Sequence, residues 1–192
     1  MPRQPLARIQ ILKAAREIVE SSGAGALTFD ELTRVSGVTR GGITYHFPTK
    51  DALLRALLEH DMQEWERCEA ELKPCDAACA RYAELVAHIR SHTSEDEGRR
   101  RFVAGMLSAA VHQPELLEPC RAEIRERLAT ETWDERGLRL HLLRLAASGL
   151  FWEELFEMNP MPKQARADLV ALLERLAHEW TQELPPNPIN QA

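Results

Sequence analysis

The chain has 192 residues, 44% of them apolar and 28% charged, and a composition of that kind excludes a disordered chain. No uncharged apolar run reaches 18 residues, so no transmembrane helix is expected, and the opening MPRQPLARIQ passes straight into an amphipathic pattern that does not resemble a signal peptide. The net charge of −6 is unevenly spread: residues 1–50 hold seven Lys/Arg against four acids (+3), and the rest hold 17 against 26 (−9). A cytoplasmic protein whose basic head meets a polyanion is the expectation.

Strand signals are nearly absent, and helical spacing recurs from end to end. Leu6, Ile9, Leu12, Ala15, Ile18 and Val19 form one apolar stripe, which SSGAG ends. Thr28 stands as N-cap of a short helix over 28–35, with Glu31 three residues on as in a capping box; Phe29, Leu32 and Val35 form its buried face. Ser36-Gly37 stops it. A third short helix spans 39–46, and Pro48 forbids its continuation. Thr49 caps a long helix with Leu53, Leu54, Leu57, Leu58, Met62 and Trp65 on its apolar side, ending near Leu72 at KPCDA. Beyond this break the pattern predicts helices over 77–93, 99–112, 115–131, 137–158 and 163–183.

The expected fold is all-α, with an N-terminal three-helix helix-turn-helix domain over 1–48 and a connecting helix over 49–72. A C-terminal helical ligand-binding and dimerisation domain follows over 73–184, and then a flexible tail over 185–192.

Gly41 and Gly42 open the third helix, each at a cost of about 1 kcal/mol relative to alanine. In a helix-turn-helix the second helix of the motif enters the DNA major groove with its N-terminal residues against base edges, and glycines there let the backbone approach closely. Binding then offsets the propensity cost. Lys50 faces the positive end of the following helix, a position that a docked phosphate makes favourable. Tyr45 and His46 can donate to phosphate oxygens, whereas Phe47 anchors the turn.

The run ILKAAREIVESSGAGALTFDELTRVSGVTRGGITYHFPTKDALLRALL, within residues 6–58, resembles the DNA-binding domain of the TetR family of bacterial transcriptional regulators. The likeness lies in IL-x-AA, LT-x-x-x-L, SGV, G-x-x-x-YHF and K-x-x-LL; the later helices match that family in number and length only. Position by position, the resemblance implies phosphate contacts at Thr28, Thr39, Tyr45, His46 and Lys50, and base contacts at Arg40, Gly41 and Thr44. Arg40 can pair bidentately with guanine O6 and N7. Arg34 and an Arg3/Arg8 arm add phosphate contacts, and with so few base-reading side chains specificity leans partly on DNA shape.

In the body, GLRLHLLRLAASGLFWEELFEM (137–158) carries apolar residues on nearly every side and needs cover on more than one face. A second copy of the chain supplies it, with Leu150 from this helix and Leu169, Leu173, Leu176 and Trp180 from 163–183 as the dimerisation set. This agrees with the four-helix interface that the resemblance implies. Met62, Trp65, Phe102, Met106, Phe151 and Trp152 are the candidate lining for a small, largely apolar effector. Cys75/Cys79 and His88/His92 are each four apart, but without CxxC or HExxH they suggest a metal or redox site only loosely, and neither a metal nor a cofactor is assigned.

The expected function is a ligand-responsive DNA-binding regulator, a repressor that binds a palindromic double-stranded operator as a homodimer and has no membrane partner. The alternative is an all-α enzyme or interaction protein with a vestigial DNA-binding head. GxSxG, P-loop and paired-carboxylate contexts are lacking, which disfavours a hydrolase.

Overall fold

The computed structural model describes residues 3–74 and 80–182. Among them are nine α-helices and no strand: α1 (Arg3–Ser22), α2 (Phe29–Ser36), α3 (Arg40–His46), α4 (Lys50–Leu72), α5 (Ala80–His92), α6 (Glu97–His112), α7 (Glu118–Ala129), α8 (Glu135–Leu155) and α9 (Lys163–Gln182). The all-α architecture and the helix order agree with the sequence reading. Cys75, Cys79 and the tail over 185–192 lie outside the described residues.

Helix ends move by a few residues for local reasons. Asp96 accepts the Arg99 amide and starts α6 two residues earlier than its apolar pattern does. Asp134 does the same for α8 through the Gly137 amide at 2.8 Å. The helix expected over 115–131 begins instead as a 3-10 turn at Pro114–Leu117. α8 stops at Leu155 because the chain reverses there, with Glu157 in the left-handed region at φ 54°.

The chain packs as two compact units, Met1–Glu64 with Asp96–Glu126, and Trp65–Glu95 with Arg127–Ala192. This differs from the sequential division expected at residue 72. The difference arises because α6 packs on α1 so closely that a Cβ at Gly105 would stand 2.4 Å from the Val19 carbonyl oxygen. Only glycine permits that approach, and no sequence pattern announces it.

In the first unit, Ile11, Leu12, Ala15 and Val19 of α1 bury against Leu32 of α2, Ile43 of α3, Leu53, Leu54 and Leu57 of α4, and Phe102 and Met106 of α6. Each fully buried Leu or Ile contributes about 1.5–3 kcal/mol relative to exposure. The carboxylate of Asp61 is buried with them; Arg16 Nη1 reaches its Oδ1 at 2.5 Å and Arg99 Nη2 its Oδ2 at 3.8 Å. The Arg16 guanidinium also lies over the Phe102 ring, 4.6 Å from its centroid. In the second unit, Leu85, Val86 and Ile89 of α5 pack with Leu140, Leu143 and Ala147 of α8 and with Leu173 and Ala177 of α9.

Candidate functional site

The helix-turn-helix is built from caps. Thr28 Oγ1 accepts the Glu31 amide at 3.2 Å and begins α2; Gly37, left-handed at φ 67°, ends it by donating its amide to the Thr33 carbonyl at 3.0 Å. Ser36 Oγ accepts the Val38 amide at 3.1 Å, and Gln10 Nε2 donates to the Ser36 carbonyl at 2.7 Å, tying the turn to α1. Thr39 Oγ1 then accepts the Gly42 amide at 3.2 Å and begins α3. Ile43 and Phe47 are buried and fix the inner side of α3.

With α3 anchored by those two residues, its other side faces outward. Thr39, Arg40, Gly41 and Tyr45 are exposed, and Thr44, His46 and Lys50 are half-buried. The two glycines are not equivalent. A Cβ on Gly41 would meet nothing within 4 Å, whereas one on Gly42 would lie 3.0 Å from Val38 Cγ1 and 3.3 Å from Thr39 Oγ1. Packing of the turn therefore accounts for Gly42, and only Gly41 is left for an external partner to explain.

Arg40 Nη1 rests on Asp30 Oδ1 at 2.5 Å with both side chains largely exposed, and the guanidinium lies 5.7 Å from the Phe29 ring centroid. A pair so open to water is weak and can be exchanged for a base edge or a phosphate. Sequence reading missed Asp30 as its partner; the ten-residue separation spans two helices and a turn. Thr44 Oγ1 donates back to the carbonyls of Arg40 and Gly41, at 3.1 and 3.2 Å. Lys50 Nζ reaches the Gly25 carbonyl at 3.4 Å, and Arg8 lies over the Phe47 ring at 5.4 Å. Arg34 chelates Glu31, holding that carboxyl below its ordinary range and its own guanidinium above. Of the proposed arm, the Arg3 side chain is outside the described residues.

Residues 11–57 match the family model for bacterial regulatory proteins of the tetR family, and residues 82–178 match that for the tetracyclin repressor-like C-terminal domain. The chain belongs to the TetR family.

Among its curated relatives is the HTH-type transcriptional regulator UidR of Escherichia coli, 27% identical over 109 residues, which are 57% of this chain and 54% of UidR. The chain thus spans about half the length of the UidR proteins it matches. The HTH-type transcriptional regulator BetI of Cronobacter sakazakii is 26% identical over 152 residues, 77% of this chain and 75% of BetI. In fold, a Rhodococcus transcriptional regulator superposes with a TM-score of 0.66 at 19% identity, covering 93% of this chain and 99% of that one. The multidrug binding protein EbrR, solved with imidazole, gives 0.62 at 24% identity, covering 90% and 93%. The family, UidR and BetI are transcriptional regulators, not enzymes, which sets the enzyme alternative aside. No helix among the described residues is long and apolar enough to cross a membrane.

The TetR-like body distributes the expected effector-lining residues unevenly. Phe102 and Met106 are buried in the core of the first unit, and Met62 Sδ lies there 3.5 Å from Cys120 Sγ. In the second unit Trp65 meets Phe151 edge-on at 6.3 Å and His92 at 4.6 Å, while Trp152 is exposed and stacks on Phe156 at 6.1 Å. Phe151 also meets its neighbour Trp152 edge-on at 5.6 Å, so within the second unit Trp65 and Phe151, with Trp152 beside them, form an aromatic wall.

That wall has a polar floor that the sequence did not show. Glu69 Oε1 accepts Trp65 Nε1 and Ser91 Oγ, each at 2.9 Å, and lies 3.4 Å from His88 Nδ1. Burial pushes the Glu69 carboxyl up, but the contacts with His88, Trp65 and Ser91 more than reverse this and hold it at about 2. Burial pushes the His88 imidazole down, with the charges of Arg144 and Arg127 adding to it; the Glu69 contact only partly restores it.

The expected dimerisation residues also divide. Leu150 and Leu173 are buried within the chain itself, Leu173 in the core of the second unit. Leu176 and Trp180 are half-buried against the same core, and Leu169 is half-buried on α9. An uncovered apolar face lies along α8: Leu138, Leu142, Leu145 and Trp152 of the helix, with Phe156 just past its end, each 42–57% exposed and spaced by three, four or seven residues.

Proposed function

We propose that this chain is a ligand-responsive DNA-binding regulator that represses transcription in the cytoplasm by binding a palindromic operator as a homodimer. The observation that carries this reading is Gly41, set in open space between exposed Thr39, Arg40 and Tyr45 on a helix whose other face is anchored by Ile43 and Phe47. The fold itself has no use for a helix-weakening residue there, and a major groove does.

The α8 stripe supports the homodimer. Four large apolar side chains in a row on one helix, with Phe156 just past its end, exceed scattered surface apolarity and mark an interaction face. A two-fold axis through it pairs α8 and α9 with their copies, matching an inverted-repeat operator. The effector is a small molecule held against the Trp65–Phe151 wall. A single helix, α4, carries both Lys50 at its start and Trp65 further along, so a shift at Trp65 is transmitted to the DNA-contacting end. A coupling of about 1–3 kcal/mol releases DNA roughly 5- to 150-fold, and DNA must weaken effector binding by the same factor.

Footprinting the promoter region of the chain's own gene tests this. Protection of two half-sites about 10 base pairs apart, or a multiple, at salt that suppresses non-specific binding is expected. Uniform or absent protection under those conditions rejects the reading.

A further inference from the structure

Glu69 on α4 and His88 and His92 on α5 present one ligating atom each, all within 4.8 Å of one another. We propose that these three side chains form a binding site for a divalent first-row transition-metal ion, with zinc the best match, inside the second unit. Two imidazoles and a carboxylate are a ligand set suited to zinc, with a fourth position open to water or an exogenous ligand.

Each of the three ligands is already oriented by a neighbour. Metal-bound histidines almost always donate their second ring N–H to a carbonyl, carboxylate or water, which fixes the tautomer. His92 Nδ1 lies 3.0 Å from the His88 carbonyl and 3.1 Å from Ser91 Oγ; the tautomer that donates from Nδ1 to that carbonyl leaves the lone pair on Nε2. His88 has the complementary arrangement: Nε2 lies 3.4 Å from Ser148 Oγ, and Nδ1 faces the Glu69 carboxylate. Glu69 in turn is held by Trp65 Nε1 and Ser91 Oγ. Every prospective ligand thus has an outer partner, as built metal sites do and accidental clusters of exposed groups do not.

The spacing also fits. Ligands at about 2.0–2.1 Å from a tetrahedral ion stand about 3.3–3.4 Å apart. His88 Nδ1 and Glu69 Oε1 are already at 3.4 Å. The two imidazoles lean together with centroids 3.9 Å apart, and all three ligating atoms lie within 4.8 Å, so closing the set needs only small side-chain adjustment. When the ion binds, neutral His88 carries its proton on Nε2, facing Ser148 Oγ, and offers the Nδ1 lone pair to the metal. Positive charge from Arg144 and Arg127 opposes a cation here, while Glu131 and Glu84 offset the charge of Arg144.

The test uses the full chain, untagged and stripped with chelator. Cobalt(II) is titrated in and its visible ligand-field absorption recorded, followed by displacement with zinc(II). One cobalt per chain, with the intense bands of a low-coordinate nitrogen–oxygen site, is expected. His92→Ala, at a half-buried position, and Glu69→Gln, which keeps an acceptor for Trp65 and Ser91, should each abolish those bands while the metal-free protein keeps the wild-type helical signal. Ser148→Ala should weaken binding about 10- to 100-fold. Absence of stoichiometric binding by the wild type, or binding that survives in both His92→Ala and Glu69→Gln, overturns the site. The measurement involves no DNA, so its failure leaves the operator footprint standing, and a failed footprint leaves the metal site standing.

Discussion

Along α3 the candidate contact residues are exposed or half-exposed, and their support is local. Thr39 caps Gly42, Thr44 bonds back to Arg40, and Asp30, the far partner of Arg40, is ten residues away. Along α5 the situation is reversed. His88 is buried, and its partners arrive from Glu69 on α4 and from Ser148 on α8, the latter 60 residues distant. The two regions also differ in what they lack. α3 holds its surface ready with one glycine that the fold does not require, whereas α5 holds a set of ligating atoms that its own neighbours already orient. A surface built to read a polyanion stays outside the core; a site built to hold a small ion is formed within it.

The largest effect should come from the exposed stripe of the body. Leu142→Arg places a charge on the proposed two-fold interface without entering either core. Each substitution counts twice across an isologous contact, so dimerisation should weaken by about 4 kcal/mol or more. Sedimentation should show monomers that keep the wild-type helical signal, and operator protection should vanish. Intact dimers would move the interface off α8. Leu173 is unsuited to this test, since a charge at a buried position unfolds the unit instead.

Next comes Asp61→Ala in the first unit. It leaves Arg16 half-buried and without its main partner, though Glu20 remains at 2.6 Å. Destabilisation near the bottom of the about 3–5 kcal/mol range for broken buried pairs is expected in urea melts. A loss below about 1 kcal/mol would show that Arg16 relaxes into solvent and that α1, α4 and α6 are held by apolar packing alone.

These two tests bear on how much the sequence disclosed. The helix order and the caps Thr28 and Thr49 were legible because capping and apolar periodicity act within one or two turns. The α3 surface was legible for the same reason, through a contiguous motif. Three things were not: the close approach of α6 to α1 at Gly105, the buried Asp61, and the union of Glu69 with His88 and His92. Each depends on residues at least 19 positions apart, which helical periodicity does not relate. His88 and His92 were visible as an i, i+4 pair, but a pair becomes a ligand set only when α4 lies beside α5.

On the DNA side, Arg40→Ala should cost about 1–3 kcal/mol in operator affinity and relax preference at one base step per half-site. Lys50→Ala should weaken all sequences alike and flatten the dependence of log affinity on log salt by about 1 per subunit. Competition binding at matched salt separates them. If Arg40→Ala leaves sequence preference untouched, Arg40 contacts backbone, and its exposed pairing with Asp30 is simply exchanged for a phosphate.

The smallest effect is the sharpest probe of α3, because it separates two neighbouring glycines. Gly41→Ala adds a methyl in open space and gains helix propensity, so the free protein should become more stable by up to about 1 kcal/mol. Gly42→Ala gains the same propensity, but its methyl arrives 3.0 Å from Val38 Cγ1. Val38 must give by a few tenths of an ångström, so the net gain should be smaller or absent. In DNA binding the order inverts. A methyl at Gly41 stands where the backbone is proposed to approach the groove and should weaken the operator complex, while one at Gly42 points back into the turn and should affect it less. Chemical melts of the free proteins and operator titrations of the same samples give both quantities. A Gly41→Ala protein that is more stable and binds operator as well as wild type would show that the open space at Gly41 is not where DNA comes close.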